Sequence, residues 1–126
     1  MVTTLRVGIA SYDEMKALTL AIAQGKRKLS PGEPRIWFPS TESFARILSA
    51  GNRELLRTIA EKAPGSLEEL ATITGRKKPN LSRTLKTMAN YGLVRLESGP
   101  RRCIAPKVLY DRIELELPLR PKEHAA

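Results

Sequence analysis

Residues Ser66-Leu67-Glu68-Glu69-Leu70-Ala71, then Gly75-Arg76-Lys77-Lys78-Pro79-Asn80-Leu81-Ser82-Arg83-Thr84-Leu85-Lys86-Thr87-Met88, then Tyr91-Gly92-Leu93-Val94, decide how this 126-residue chain folds. Ser66 followed three residues later by Glu69 reads as a capping box, in which hydroxyl and carboxylate each satisfy a backbone donor left over at a helix start. Leu67, Leu70, Ala71 and Ile73 then form the buried side of that helix. Ala71 is small where two helices must approach closely, and Gly75 suits a turn that needs positive φ. The spacing predicts a second helix from about Pro79 to Tyr91. Leu81, Leu85 and Met88 fall at i, i+4 and i+7 and face the core, and Pro79 sits in the first turn, where its missing donor costs nothing. Gly92 ends this helix. Leu93–Glu97 follows as a strand, Ser98-Gly99-Pro100 as a turn, and Arg101-Arg102-Cys103-Ile104 as the return strand.

The charge is concentrated on that stretch. Between Arg76 and Lys107 stand nine Lys and Arg against one acid, Glu97, whereas residues 1–75 carry ten basic and eight acidic groups and residues 108–126 three and four. Nearly all of the net +9 therefore belongs to one segment, which points to a polyanionic partner. A hydrophobic content of 41% excludes a wholly disordered chain, and the length suits one domain with a modest core. No stretch approaches the ~18 apolar residues of a membrane span. Met1 to Arg6 is not followed by the apolar run of a signal peptide, so a cytoplasmic protein without a membrane partner is expected. Cys103 is the single cysteine, which leaves no internal disulfide and no thiolate metal site, and no cofactor is expected.

The rest of the chain can be read outward from there. Thr3, Leu5, Val7 and Ile9 alternate with Thr4, Arg6 and Gly8, a strand pattern. Ser11 caps a helix with Asp13 and Glu14 in its first turn, Met15, Leu18, Leu20, Ala21 and Ile22 on a broad apolar face, and a stop at Gly25. Lys26 to Arg35 is a loop rich in turn formers, and Ile36-Trp37-Phe38 is extended. Ser40 caps a helix carrying Phe44, Ile47 and Leu48. Ser49-Ala50-Gly51-Asn52 breaks the chain, and Asn52 caps a helix with Leu55, Leu56, Ile59 and Ala60 on one face, ended by Pro64-Gly65. Ile113, Leu115, Leu117 and Leu119 alternate with Arg112, Glu114, Glu116 and Pro118, another strand. Pro121 to Ala126, which holds the lone histidine His124, reads as a disordered tail.

The expected fold is α+β, mainly α. Its centre is a winged helix-turn-helix at residues 36–108, with a strand-helix extension at 1–35 and a strand and tail at 109–126. On the second helix, the face opposite the apolar stripe presents Asn80, Ser82, Arg83, Lys86 and Thr87. Arg can hydrogen-bond guanine and Asn adenine in bidentate fashion, and Ser or Thr can reach base or phosphate. Asn80, Ser82, Arg83 and Thr87 are therefore the candidates for base readout of double-stranded DNA, Arg83 first. Arg76, Lys77, Lys78 and Lys86 are candidates for phosphate contacts, which supply affinity and register. Arg101 and Arg102 belong to the wing, along a phosphate row or in a narrow minor groove. The plainer alternative for both sets is a merely solvated basic surface.

The run from Ser66 through Gly75 to Leu85, closing with Tyr91-Gly92-Leu93-Val94, resembles prokaryotic winged helix-turn-helix transcriptional regulators of the MarR/ArsR type over residues ~40–108. The wider chain, with its amino-terminal strand and helix and its Arg-Ile-Trp-Phe segment, resembles regulators encoded beside toxin genes. The first resemblance implies a sequence-specific repressor, dimeric because such readers place two heads ~34–36 Å apart on inverted repeats. The second implies an antitoxin in a toxin–antitoxin system, neutralising a partner toxin protein and repressing its own operon. The metal sensors of the ArsR type use Cys and His clusters that this chain lacks. The two ends admit three readings: a homodimer platform, a grip for a protein partner by strand addition or helix docking, or completion of the chain's own sheet. An RNA reader would need aromatic stacking platforms, and the basic segment holds only Tyr91. No nucleophile–base pair, ligand cluster or phosphate-cradling glycine loop is present, so an enzyme is not expected.

Overall fold

The computed structural model describes residues 3–26 and 34–119. Along them run β1 (Thr4–Ile9), α1 (Tyr12–Ala23), β2 (Ile36–Phe38), α2 (Thr41–Ile47), α3 (Ala50–Lys62), α4 (Leu67–Thr74), α5 (Lys78–Asn90), β3 (Arg95–Ser98), β4 (Ile104–Lys107) and β5 (Arg112–Glu116). The class is mixed α and β. Most of the loop expected at Lys26–Arg35, and the tail with His124, lie outside the described residues. No helix among those described is long and apolar enough to cross a membrane.

Two sheets form. β3 and β4 make an antiparallel hairpin, and β2, β1 and β5 make a parallel three-stranded sheet in that order. Segments 1–35, 36–108 and 109–126 thus contribute one strand each to a common sheet. In its register Val7 lies between Ile36 and Leu115, and Gly8 between Trp37 and Glu116. Period-two alternation sends Leu5, Val7 and Phe38 into the core, where they meet Leu55, Ile59, Leu67, Leu70, Leu81, Leu85 and Met88. On the other face Trp37 lies across β1. A Cβ at Gly8 would stand 2.5 Å from the indole ring, so this position admits no side chain while Trp37 keeps its place.

Ser11 caps α1 as expected. Its hydroxyl accepts the Glu14 N–H (3.2 Å) and the Glu14 carboxylate accepts the Ser11 N–H (3.1 Å). That backbone bond holds the Glu14 carboxyl below its ordinary pKa. The broad apolar face expected on this helix is only partly covered by the described chain: Met15, Leu18 and Ala21 are half-buried. No residue of α1 is buried, and Tyr12, Leu20 and Ile22 are 75%, 55% and 37% exposed.

Ser40 caps α2 by accepting the Ser43 N–H (3.1 Å). Phe44 of that helix meets Phe38 edge to face at 5.3 Å, and Phe38 stacks on Tyr91 at 4.5 Å. These rings join the sheet to the carboxyl end of α5.

Four expectations about the helices need correction. Asn52 does not cap α3; Ser49 does, accepting the Asn52 N–H (3.3 Å), and the Asn52 amide instead donates to the Ile47 carbonyl (3.0 Å). Ala50 and Gly51 are therefore helical rather than a break, and the helix closes with Ala63 in the left-handed region (φ 45°). Ala60 is exposed. Ile73 is 40% exposed because α4 turns Leu67 and Leu70 inward, leaving a residue three past Leu70 at the rim. The fourth concerns the start of α4. Ser66 accepts the Glu69 N–H (3.1 Å), but the Glu69 carboxylate accepts from Gly65 (2.9 Å), one residue before the cap.

Leu85 is 1% exposed at the centre of α5. Leu85→Ala should destabilise the protein by ~2–5 kcal/mol in urea unfolding, whereas Ile73→Ala should stay within about 1 kcal/mol. Equal losses would place Ile73 inside and contradict the rotation of α4.

Candidate nucleic-acid interface

The basic segment begins where α4 ends. Gly75 closes that helix in the left-handed region (φ 76°), its N–H bonded to the Ala71 carbonyl (2.9 Å). A side chain there would be strained, so glycine sets the sharp change of direction into α5. The Thr74 hydroxyl tightens the corner by donating to the Leu70 carbonyl (2.8 Å) and accepting the Arg76 N–H (3.2 Å).

Arg76 then reaches back. Its guanidinium donates to the Gly51 carbonyl (2.9 Å) and the Asn52 amide oxygen (3.3 Å). The residue expected at a phosphate is thus half-buried and tied to the first turn of α3. Those two bonds fix the turn against a helix 25 residues earlier in the chain. The same tie explains Asn52, whose amide nitrogen holds Ile47 while its oxygen holds Arg76.

α5 has no side-chain cap. Lys77 stands at its N-cap position and Pro79 near its start, so the N–H groups of the first turn are left without a capping partner and the positive end of the helix dipole is unopposed. A shallow depression beside it is lined by Asn52, Arg76, Lys77, Asn80 and Thr84. Lys78 pairs with Glu68 of α4, and this bond holds the Glu68 carboxyl below its ordinary pKa. Both side chains are exposed, so the pair is weak and screened by salt.

Leu81, Leu85 and Met88 are all buried, which fixes the rotation of α5. Arg83 points directly away from that stripe at 100° per residue, with Asn80 and Thr87 on one flank and Lys86 on the other. Asn80, Arg83, Lys86 and Thr87 are exposed, and Ser82 is half-buried at the border. The Thr87 hydroxyl donates to the Arg83 carbonyl (3.2 Å) and so is held against its own helix. Among the described residues Arg83 and Lys86 form no ion pair, and α5 carries no acid.

The return strand of the hairpin begins three residues later than expected. β4 begins at Ile104, opposite Ser98, so Arg101 and Arg102 are not in the return strand. They form the tip itself, in a single 3-10 turn, closed by a bond from the Gly99 N–H to the Cys103 carbonyl. Both arginines are exposed and both have φ near 59°, a left-handed conformation that a non-glycine residue adopts at about 1–2 kcal/mol. Strained, exposed arginines side by side hold the charge out at the end of the hairpin.

Residues 47–115 match the model of the HVO_A0114 family. The chain belongs to this family. The match runs from the end of α2 into β5, so it takes in α3, α4, α5 and the hairpin and leaves β1, α1 and β2 outside. No curated protein matches the chain, and no solved structure does.

Sequence reasoning missed Asn52 as a partner of Arg76. The signal is only partial: Asn52 reads as a cap, and no local pattern pairs it with a side chain 24 positions away. Arg76→Ala should lower stability by ~1.5–3 kcal/mol, as loss of charged hydrogen bonds to a half-buried partner, measured by urea unfolding. Unchanged stability would return Arg76 to the set of free surface cations.

Proposed function

We propose that the protein is a sequence-specific DNA-binding transcriptional regulator, a winged helix-turn-helix in which α4 and α5 are the helix pair and β3–β4 the wing. The observation that carries this reading is the outward face of α5. Its apolar stripe is fully used by the core, and the exposed side carries Asn80, Arg83, Lys86 and Thr87, with Asn90 at its end and no acid among them. Hydrogen-bonding groups able to read base edges thus share one exposed helix face with cations suited to phosphates. In this reading Arg83 and Asn80 contact bases, with Ser82 and Thr87 at the margins. Lys77 and Lys86 contact phosphates, and the uncapped start of α5 favours a phosphate oxygen as well. Lys78 joins them by exchanging Glu68 for DNA. Arg76 acts behind the surface, setting the angle between the turn and α3.

The wing reading rests on the tip. Two exposed arginines at the end of a hairpin suit a phosphate row or a minor groove. Such a regulator acts in the cytoplasm as a homodimer on an inverted repeat, and its resemblance to regulators encoded beside toxin genes suggests repression of its own operon. The groups gathered here bind and orient; the reading assigns them no catalysis and no cofactor.

A second reading has its own observation. α1 buries none of its residues and exposes Tyr12, Leu20 and Ile22, a surface suited to a protein partner. An antitoxin that grips its toxin there, with DNA binding secondary, fits the same resemblance.

Arg83→Ala should reduce discrimination between operator and scrambled duplex by ~1–3 kcal/mol, measured by anisotropy. Replacing Arg101 and Arg102 by Ala should lower the salt slope of binding by up to about 2. Equal weakening on both duplexes would demote Arg83 to a phosphate contact, and an unchanged slope would remove the wing from the interface.

A further inference from the structure

The two edges of the parallel sheet are built differently. β2 is three residues long and lies between Pro34 and Pro39, so little backbone is offered for pairing. β5 runs for five residues, Arg112–Glu116, without proline, and no described strand pairs with its outer side. The Arg112 N–H donates to the Thr3 carbonyl (3.2 Å), in the register that sets Arg112 beside Thr4. By strand alternation the backbone groups of Arg112, Glu114 and Glu116 turn toward β1, and those of Ile113 and Leu115 turn outward. Four strong hydrogen-bonding groups therefore line this edge. The side chains of Ile113 and Leu115 are core-facing yet only half-buried, as expected where a sheet stops short.

We propose that the occupant of this edge is a second copy of the chain, with β5 pairing antiparallel to β5 across a two-fold axis at Glu114. The sequence of the strand is self-complementary in that register. Ile113 faces Leu115 of the partner subunit and the reverse, and these two pairs use all four outward backbone groups. Arg112 faces Glu116 of the partner subunit, again twice, placing opposite charges across the strands on the sheet's polar face. The two Glu114 side chains meet at the axis. Each already sits beside the cations of Arg6 (3.5 Å) and Arg112 (3.3 Å) of its own chain, which offsets their repulsion. Shifting the axis to Leu115 would set Glu114 against Glu116 twice and leave Arg112 opposite Pro118. Shifting it to Ile113 would still set Arg112 against Glu114 of the partner subunit, but it would bring Asp111, whose carboxylate accepts the Thr3 N–H (2.8 Å), against Leu115. Of the three, Glu114 is the centre that pairs Arg112 with an opposite charge while also setting Ile113 and Leu115 against each other, giving one continuous six-stranded sheet. Such a dimer is isologous and closed, so it stops at two copies.

This interface rests on the DNA-reading proposal only in giving it a second head; it is tested without DNA. Sedimentation velocity of the full chain over a concentration series should show a dimer. Arg112→Glu and Glu116→Arg, each alone, set like charges opposite each other and should weaken dimerisation by about tenfold or more. The double variant R112E/E116R should restore it. Leu115→Pro removes an outward N–H that β1 does not use, and should give a monomer; circular dichroism melting checks that each variant is folded. A wild-type monomer at every concentration would overturn the proposal. So would a dimer indifferent to both charge reversals, or a double variant no better than either single one. A dimer that ignores DNA would leave this interface standing and remove the DNA-reading proposal instead.

Discussion

The burial of Leu81, Leu85 and Met88 against the rest of the core is the constraint on which the other features depend. These three side chains lie on one stripe of α5 and are at most 1% exposed. Burial of each contributes ~1.5–3 kcal/mol, so rotating the helix would expose several at once. The polar face then has no freedom: with the stripe inward, Arg83 must point out. The chemistry presented to a partner is thus set by apolar packing on the opposite side of the same helix. Arg76 adds the second half of the constraint by tying the turn before α5 to the start of α3.

The family match covers the α3–α5 helices, the hairpin and most of β5, yet the core is not confined to them. Leu5 and Val7 of β1 and Phe38 of β2 are buried in the same cluster as the helices. Phe38 also stands between Phe44 and Tyr91, so the sheet packs on the carboxyl end of the proposed reading helix. Removing residues 1–35 would therefore strip the middle strand from the sheet and open the core.

Legibility from the sequence followed the range of the interaction. Features decided within one or two helical turns were read well: the caps at Ser11 and Ser40, the turn at Gly75, and the stripe on α5. Errors arose where two local solutions compete. Ser49 and Asn52 can both cap a helix, and the serine prevails because Asn52 is drawn to Ile47 and Arg76. Glu69 can bond either of two N–H groups, and it takes that of Gly65. Gly99 to Arg102 reads as the hairpin tip, but with the arginines opening the return strand, since nothing in the residue types announces two consecutive left-handed conformations. Parallel pairing of β1 with β5 joins residues more than 100 positions apart, and alternation alone could not tell it from dimer or partner pairing. The base and phosphate candidates were legible as exposed positions, all but Ser82 and Arg76, because exposure on α5 is the complement of its apolar stripe.

The central claim is that α5 reads DNA. Its most direct test is fluorescence anisotropy with the duplex lying immediately upstream of the protein's own gene, against a scrambled duplex, through a series of salt concentrations. Tight binding to the upstream duplex alone, weakening steeply with salt, is the expected result. Weak and equal binding to both would contradict the account, leaving the basic face an electrostatic surface and turning attention to α1 and its partner.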